Sequence, residues 1–384
     1  MNVAILTWGE EGKRLYNLLS SDLNHEYHVK CIAEVYSHLW GSIKNDKGEE
    51  IKIGSLAHAV FMYRQNQIDY FIVPSLNESP NGETIVRRIK KYDIPESALL
   101  YAPITIFKDS TLSDEERIAS ICLYRKRKEL DYLEFHVTDH CNLNCKNCSM
   151  FSGLVEGEVF ADYEKTREGL LKLKSFFDHV KVFRILGGEP LLNDRLEDYI
   201  SLVRSLYPYT DIRVITNGIL VRSMKQSLIK SLKENKVSFI VTGYPALENI
   251  HDDVAEFLRA NEISHVVGPT IYRFMKIYNK EGDSDPEAAF CHCNWRGTCA
   301  NIKENKIATC FVPFVLPYLV NHFDLGQVRD DTIDLFGEGL TTEALFDRLN
   351  QPMDACRYCT QKRIIVDWEL MDKNSKNRIE DWTV

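Results

Sequence analysis

The hydrophobic positions of this chain fall in short continuous runs separated by helical stripes. In NVAILTWGEEGKRLYNLL an apolar strand leads to a turn with Gly9 and Gly12, then to a helix that places Leu15, Leu18 and Leu19 on one side. VKCIAEVYS and IDYFIVPS are further strands, and ETIVRRIKKY is a helix. Strands alternating with helices predict a parallel sheet, so residues 1–105 are expected to form a Rossmann-like α/β domain. Residues 106–130 are polar and charged, and Ser113 with Glu116 fits a capping box. A linker helix is expected there.

From Asp131 the pattern repeats. YLEFHVTDH alternates, with Leu133, Phe135 and Val137 on one face of a strand. Amphipathic helices (DYEKTREGLLKLKSFF, DRLEDYISLVRSL, SMKQSLIKSLKE, NIHDDVAEFLRA) interleave with the strands KVFRIL, IRVITNG, VSFIVTGYP and ISHVVGP, and TIYRFMKIY offers a sixth strand. Repeats of this length predict an α/β fold with a partial (β/α)6 TIM-like barrel over residues 131–288. Barrel chemistry sits at the carboxyl ends of the strands. TDHCNLNC, GGEP, TNG and TGYP all fall at such ends. After residue 288 the periodicity gives way to a small Cys-rich domain, residues 289–384, in which TTEALFDRLN keeps helical character.

Composition narrows the function. The chain has 384 residues, 44% hydrophobic and 27% charged, the balance of a globular protein. A net charge of −9 argues against nucleic acid as the main partner. No apolar run approaches membrane length, and no basic flank precedes the apolar start. A cytoplasmic protein with reduced thiols is expected, so the eleven cysteines are candidates for metal binding or catalysis. Cys31 and Cys122 stand alone and are expected to be buried as small hydrophobes. The other nine form two groups.

Cys141, Cys145 and Cys148 form the first group. Their spacing would place them along one helical face, but Asp139, Asn142, Asn144 and Asn147 favour turns over a helix interior. Structural zinc needs a fourth ligand, His140 or a distant residue. A 4Fe–4S cluster held by three thiolates keeps one iron open to a small molecule. In the N-terminal domain, the glycine turn and Glu34 hint at a nucleotide site. The spacing there is G-x-x-G rather than G-x-G-x-x-G, and a scaffold that binds nothing is the competing reading.

The C-x3-C-x2-C triplet after the first barrel strand, GGEP at Gly187–Pro190 and TNG with Asn217 together resemble the radical SAM enzymes (SAM, S-adenosylmethionine) over residues 131–275. The resemblance implies that Cys141, Cys145 and Cys148 bind three irons of a 4Fe–4S cluster and SAM chelates the fourth. Reductive cleavage of SAM would give a 5′-deoxyadenosyl radical that abstracts a substrate hydrogen. Gly187, Gly188, Glu189, Pro190, Asn217 and Thr242 would surround SAM, with Glu189 facing its ammonium. One departure is Asn147, where the family usually has an aromatic residue near the adenine.

The second group is Cys291, Cys293, Cys299, Cys310, Cys356 and Cys359. It resembles the SPASM and twitch extensions of the same enzymes, which hold auxiliary 4Fe–4S clusters. The resemblance implies one auxiliary cluster, with Cys299, Cys310, Cys356 and Cys359 as ligands and Cys293 competing for a place. A four-cysteine zinc knuckle is the alternative, and His292 is expected to be an exposed loop residue. Relatives of this kind modify peptides or oxidise and epimerise sugars and alcohols.

The βαβ N-terminal domain loosely resembles those of sugar acetyltransferases and some polysaccharide-biosynthesis proteins. It favours a sugar or nucleotide-linked substrate, an oxidoreductase or epimerase reaction, over peptide or protein modification. A non-catalytic zinc-stabilised binding protein is the third class. The basic run Arg125–Lys128 is expected to be a solvated helix face, or a dock for a flavodoxin or ferredoxin-type electron donor.

Overall fold

Apolar runs flanked by turns pair into a seven-stranded and an eight-stranded sheet, one in each of two units, Met1–Asp131 and Tyr132–Val384, and a two-stranded sheet in the second unit. The computed structural model describes residues 1–45, 48–75, 81–294, 299–372, 376 and 378–384.

In the first unit the sheet order is Gly41–Lys44, Glu50–Gly54, His28–Ala33, Asn2–Ile5, Tyr70–Pro74, Leu99–Ala102, Cys122–Leu123. The inner pairings are parallel and the two edge pairings antiparallel. Strand order reverses beside Asn2–Ile5, as in doubly wound sheets. Val3, Ile5, Ile32, Ile72 and Leu15 form the core.

Residues 106–130 correct the expected linker helix. They form the short helix Asp114–Ala119, with its Ser113–Glu116 capping box, and then the edge strand Cys122–Leu123 of this same sheet. Of the basic run, Arg125, Lys126 and Lys128 are exposed, the first two on the single turn Tyr124–Lys126, and only Arg127 departs from a solvated face. Arg127 is buried, pairs with Asp131 at 3.0 Å and lies over the rings of Tyr124 and Tyr101. Cys31 is buried in its strand, as expected of a small hydrophobe, whereas Cys122 is half-buried at the edge.

In the second unit the sheet order is Ser264–Thr270, Ser238–Gly243, Asp211–Thr216, His179–Gly187, Glu129–Thr138, Asn301–Lys303, Lys306–Ala308, Ile333–Asp334. Helices Tyr163–Phe176, Leu196–Leu206, Gln226–Glu234 and His251–Ala260 connect the successive barrel strands. The strand-to-strand pairings from His179–Gly187 out to Ser264–Thr270 are parallel.

Two features differ from the (β/α)6 expectation. Arg273–Tyr278, the expected sixth strand, leaves the sheet and pairs antiparallel with Cys359–Asp367. At the opposite side, Asn301–Lys303 joins Glu129–Thr138 in parallel and turns back through Lys306–Ala308. Residues after 288 therefore do not separate as their own domain. They complete the sheet and share a core with the cysteine loop, in which Phe151 and Leu154 pack with Leu316, Leu319 and Trp382. The helix Val312–Phe323 that supplies this core contains Pro317 and was not legible as a helix in the sequence.

Candidate active site

The carboxyl end of strand Glu129–Thr138 releases the chain into a loop rich in Asn, and that loop carries the triplet. Cys141, Cys145 and Cys148 line one cavity of about 430 Å³. Gly187, Gly188, Asn217 and Thr242, from three other strand ends, line it too. Burial pushes the thiols of Cys141 and Cys145 up to about 12 and raises that of Cys148. Metal binding at such thiols displaces their protons.

Among the described residues, no three His, Cys, Asp or Glu side chains converge on one ion. A zinc ion with bonds of about 2.3 Å would need its sulfurs within about 3.8 Å of one another. His140, the fourth zinc ligand offered by the sequence, has its Nδ1 taken by the Val159 N–H at 3.0 Å. Three thiols spread around a roomy cavity fit a larger group, a cluster.

The glycines have a structural reason. A Cβ on Gly187 would lie 1.8 Å from the Thr138 carbonyl oxygen, and one on Gly188 would lie 2.0 Å from that of His140. Gly187 also has φ +147°. The Gly188 N–H donates to the Thr138 oxygen at 2.9 Å and the Glu189 N–H to the His140 oxygen at 3.1 Å. Only a residue without a side chain lets the second strand end sit this close to the first.

Glu189 and Pro190 are buried and not among the cavity-lining residues. The Glu189 carboxylate accepts from Thr216 Oγ1 at 2.7 Å, the Asn217 N–H at 2.8 Å and the Leu191 N–H at 3.1 Å. Burial still raises its pKa to about 7. It ties the second strand end to the third. Asn217 then reaches the cysteine loop, donating from Nδ2 to Asn142 Oδ1 at 2.8 Å and lying 3.7 Å from the Cys141 sulfur.

Asn147 has φ +56°, a left-handed conformation that Asn tolerates and aromatic residues avoid. The flat surface comes from elsewhere: Tyr244, in the cavity wall, stacks on Trp368 with ring centroids 5.8 Å apart. Trp368 donates to the Cys145 sulfur at 3.3 Å. The sequence reading also missed a polar group in the same cavity. Arg184 Nη1 donates to Glu134 Oε1 at 2.9 Å and also bonds Tyr132, whose hydroxyl donates to that oxygen at 2.8 Å. The signal was available, because Tyr132 and Glu134 alternate with the core residues Leu133 and Phe135 on a strand covered on both faces.

Of the second cysteine group, Cys293, Cys310, Cys356 and Cys359 line a separate cavity of about 170 Å³. Burial pushes Cys359 up to about 12 and raises Cys310 and Cys356 as well. Cys299 faces the first cavity instead, its sulfur 3.8 Å from Glu134 Oε2. Cys291 is exposed. His292 lies in an exposed setting with its Nδ1 2.8 Å from the Ala288 carbonyl. No helix among the described residues is long and apolar enough to cross a membrane.

Residues 135–274 match the radical SAM superfamily. The chain is 32% identical over 148 residues to the GTP 3′,8-cyclase of Sulfurimonas denitrificans, covering 34% of this chain and 43% of that protein. It is 36% identical over 103 residues to the GTP 3′,8-cyclase of Nostoc punctiforme, covering 26% and 31%. The chain thus spans less than half the length of these curated relatives. A solved structure, BtrN in complex with AdoMet and 2-DOIA, shares 17% identity over 61% of this chain and 97% of that one, with a TM-score of 0.38, too slight a likeness to bear on function. The chain carries a radical SAM domain, one that takes a 4Fe–4S cluster and S-adenosylmethionine.

Proposed function

We propose that this enzyme uses its cavity at the barrel-strand ends to abstract hydrogen from a hydroxyl-bearing substrate, sugar-like or nucleotide-linked, oxidising or epimerising it. The observation that carries the reading is the meeting of three thiols, two close-packed glycines and Asn217 around one cavity. When bound, the reduced cluster with S-adenosylmethionine would supply the hydrogen-abstracting radical chemistry. Cys141, Cys145 and Cys148 would hold that cluster. The backbone at Gly187 and Gly188 and the side chains of Asn217 and Thr242 surround SAM. Glu189 fixes the third strand end from behind, and Tyr244 offers the adenine a flat face in place of an aromatic at 147.

Charge balance favours the substrate class. Arg184 is already neutralised by Glu134 at 2.9 Å, so this wall presents hydrogen-bond donors and acceptors without a net positive field. It suits hydroxyls better than a phosphate or carboxylate. The curated relatives are named for a reaction of GTP, and a nucleotide-linked substrate here would place its sugar hydroxyls, rather than its phosphates, against this wall. Cys293, Cys310, Cys356 and Cys359 are the four ligands for an auxiliary cluster, since they share one cavity. A flavodoxin or ferredoxin-type donor in a reducing cytoplasm would supply the electron.

The test is 5′-deoxyadenosine formation, followed by mass spectrometry after anaerobic reconstitution with SAM and dithionite. The parent protein should form it and Cys145→Ala should not. A panel of hexoses, nucleotide-hexoses and short peptides then assigns the substrate. Stimulation by peptides alone would overturn the hydroxyl-bearing class. Equal product from the parent and Cys145→Ala would overturn the radical chemistry at this site.

A further inference from the structure

The first unit has a cavity of its own, about 330 Å³, at the lower end of the range for small-ligand sites, about 300–1,000 Å³. It lies beyond the carboxyl ends of strands Asn2–Ile5, His28–Ala33 and Glu50–Gly54, with Leu6, Glu34 and Ser55 in its wall. Crevices at this end of an open parallel sheet are where such sheets bind ligands.

Glu34, the acid the sequence offered for a ribose, is not available. Its Oε2 accepts the Trp8 N–H at 2.7 Å, and its Oε1 accepts the N–H groups of Val35 at 2.7 Å and Tyr36 at 3.0 Å. Instead it pins the loops after the first two strands together. Its main-chain oxygen accepts the Trp40 indole N–H at 2.9 Å, which fixes the orientation of that ring. Trp40 is nevertheless 48% exposed.

The wall also carries Arg88, from the helix Asn81–Lys90, and Lys91 and Tyr92 just after it. Both cations are exposed, and neither has an ion-pair partner among the described residues. The cavity therefore joins a fixed aromatic and apolar surface to two cations without an ion-pair partner among the described residues, with the Glu34 carboxylate, held by main-chain N–H groups, in the same wall. A ligand that satisfies both is flat and apolar at one end and anionic at the other.

We infer that this cavity binds a nucleotide, with its base against Trp40 and its phosphates at Arg88 and Lys91. The inference is independent of the radical chemistry, and the acid–ribose contact of dinucleotide sites has no part in it.

Isothermal titration of the full-length protein with UDP and with ADP at low salt tests it. One of the two should bind saturably. Arg88→Ala and Lys91→Ala should each weaken that binding by about tenfold or more, since each removes a charge-assisted contact. Trp40→Ala should weaken it as well, and Trp40→Phe should restore it. An unchanged melting temperature in each variant shows that the fold is intact. Lack of binding of either nucleotide at millimolar concentration overturns the inference, as does unchanged affinity in the Arg88 and Lys91 variants. Inorganic pyrophosphate binding as tightly as UDP would overturn the role of the aromatic wall.

Discussion

Trp368 donates its indole N–H to the Cys145 sulfur at 3.3 Å, a bond between residues 223 positions apart. It makes the C-terminal segment part of the site that the triplet begins. Trp368→Phe keeps the ring against Tyr244 and removes the donor. Iron loading should persist, while the midpoint potential of the cluster at Cys141, Cys145 and Cys148 should fall. Hydrogen bonds to cluster sulfurs raise the potential. One such bond, worth about 1 kcal/mol, corresponds to roughly 40 mV for one electron. Redox titration followed by electron paramagnetic resonance reads the shift.

Replacing Gly188 by Ala sets a Cβ against the His140 carbonyl at 2.0 Å, with no flexible side chain to give way. The variant should lose more than about 3 kcal/mol of stability. Gly157→Ala is the contrast. Its φ is +71° but nothing lies within 4 Å, so about 1 kcal/mol is expected. Melting temperatures of the two variants compare the effects.

Glu189 predicts a pH dependence. Burial raises its pKa from 4.5 to about 7, so the protonated form is favoured in the folded protein. That contribution is whole below about pH 4.5, declines as pH rises and is gone above about pH 7. Its upper bound is about 3 kcal/mol. Before SAM is added, the melting temperature of the parent should fall relative to Glu189→Gln between pH 5 and pH 7.5. A parallel course of the two proteins would remove the assignment.

The Arg184–Glu134 pair should show coupling. Arg184→Met leaves the buried Glu134 carboxylate without its cation and should cost about 3 kcal/mol. Adding Glu134→Gln should recover part of the loss. A double-mutant cycle measured by thermal unfolding gives the coupling directly.

The second cysteine group yields a metal count. Cys293→Ala, Cys310→Ala, Cys356→Ala and Cys359→Ala should each lower the iron and sulfide content by about half, because one of two similar clusters is lost. Cys291→Ala and Cys299→Ala should retain it. Loss of iron in Cys299→Ala would instead place Cys299 among the ligands.

The local pattern was enough to place the triplet, GGEP and TNG at strand ends. Each of those signals lies within a few residues, where period and turn chemistry are written directly in the chain. The capping box at Ser113 and Glu116 was legible for the same reason. Long-range partners were not. The sequence offered Arg273–Tyr278 as a sixth barrel strand, but strand type does not name the pairing edge, and Cys359–Asp367 took it. It offered Glu189 to an ammonium, but could not show that the carboxylate is buried and met by two donors from the third strand end and one from its own turn. Arg127 looked like one of four solvated cations until packing set it between Tyr101 and Tyr124. Which cysteines share a cavity, and which polar residues of a doubly covered strand face it, are distances between residues far apart in sequence. Those distances are set only when the sheet order and the helix Val312–Phe323 close the core.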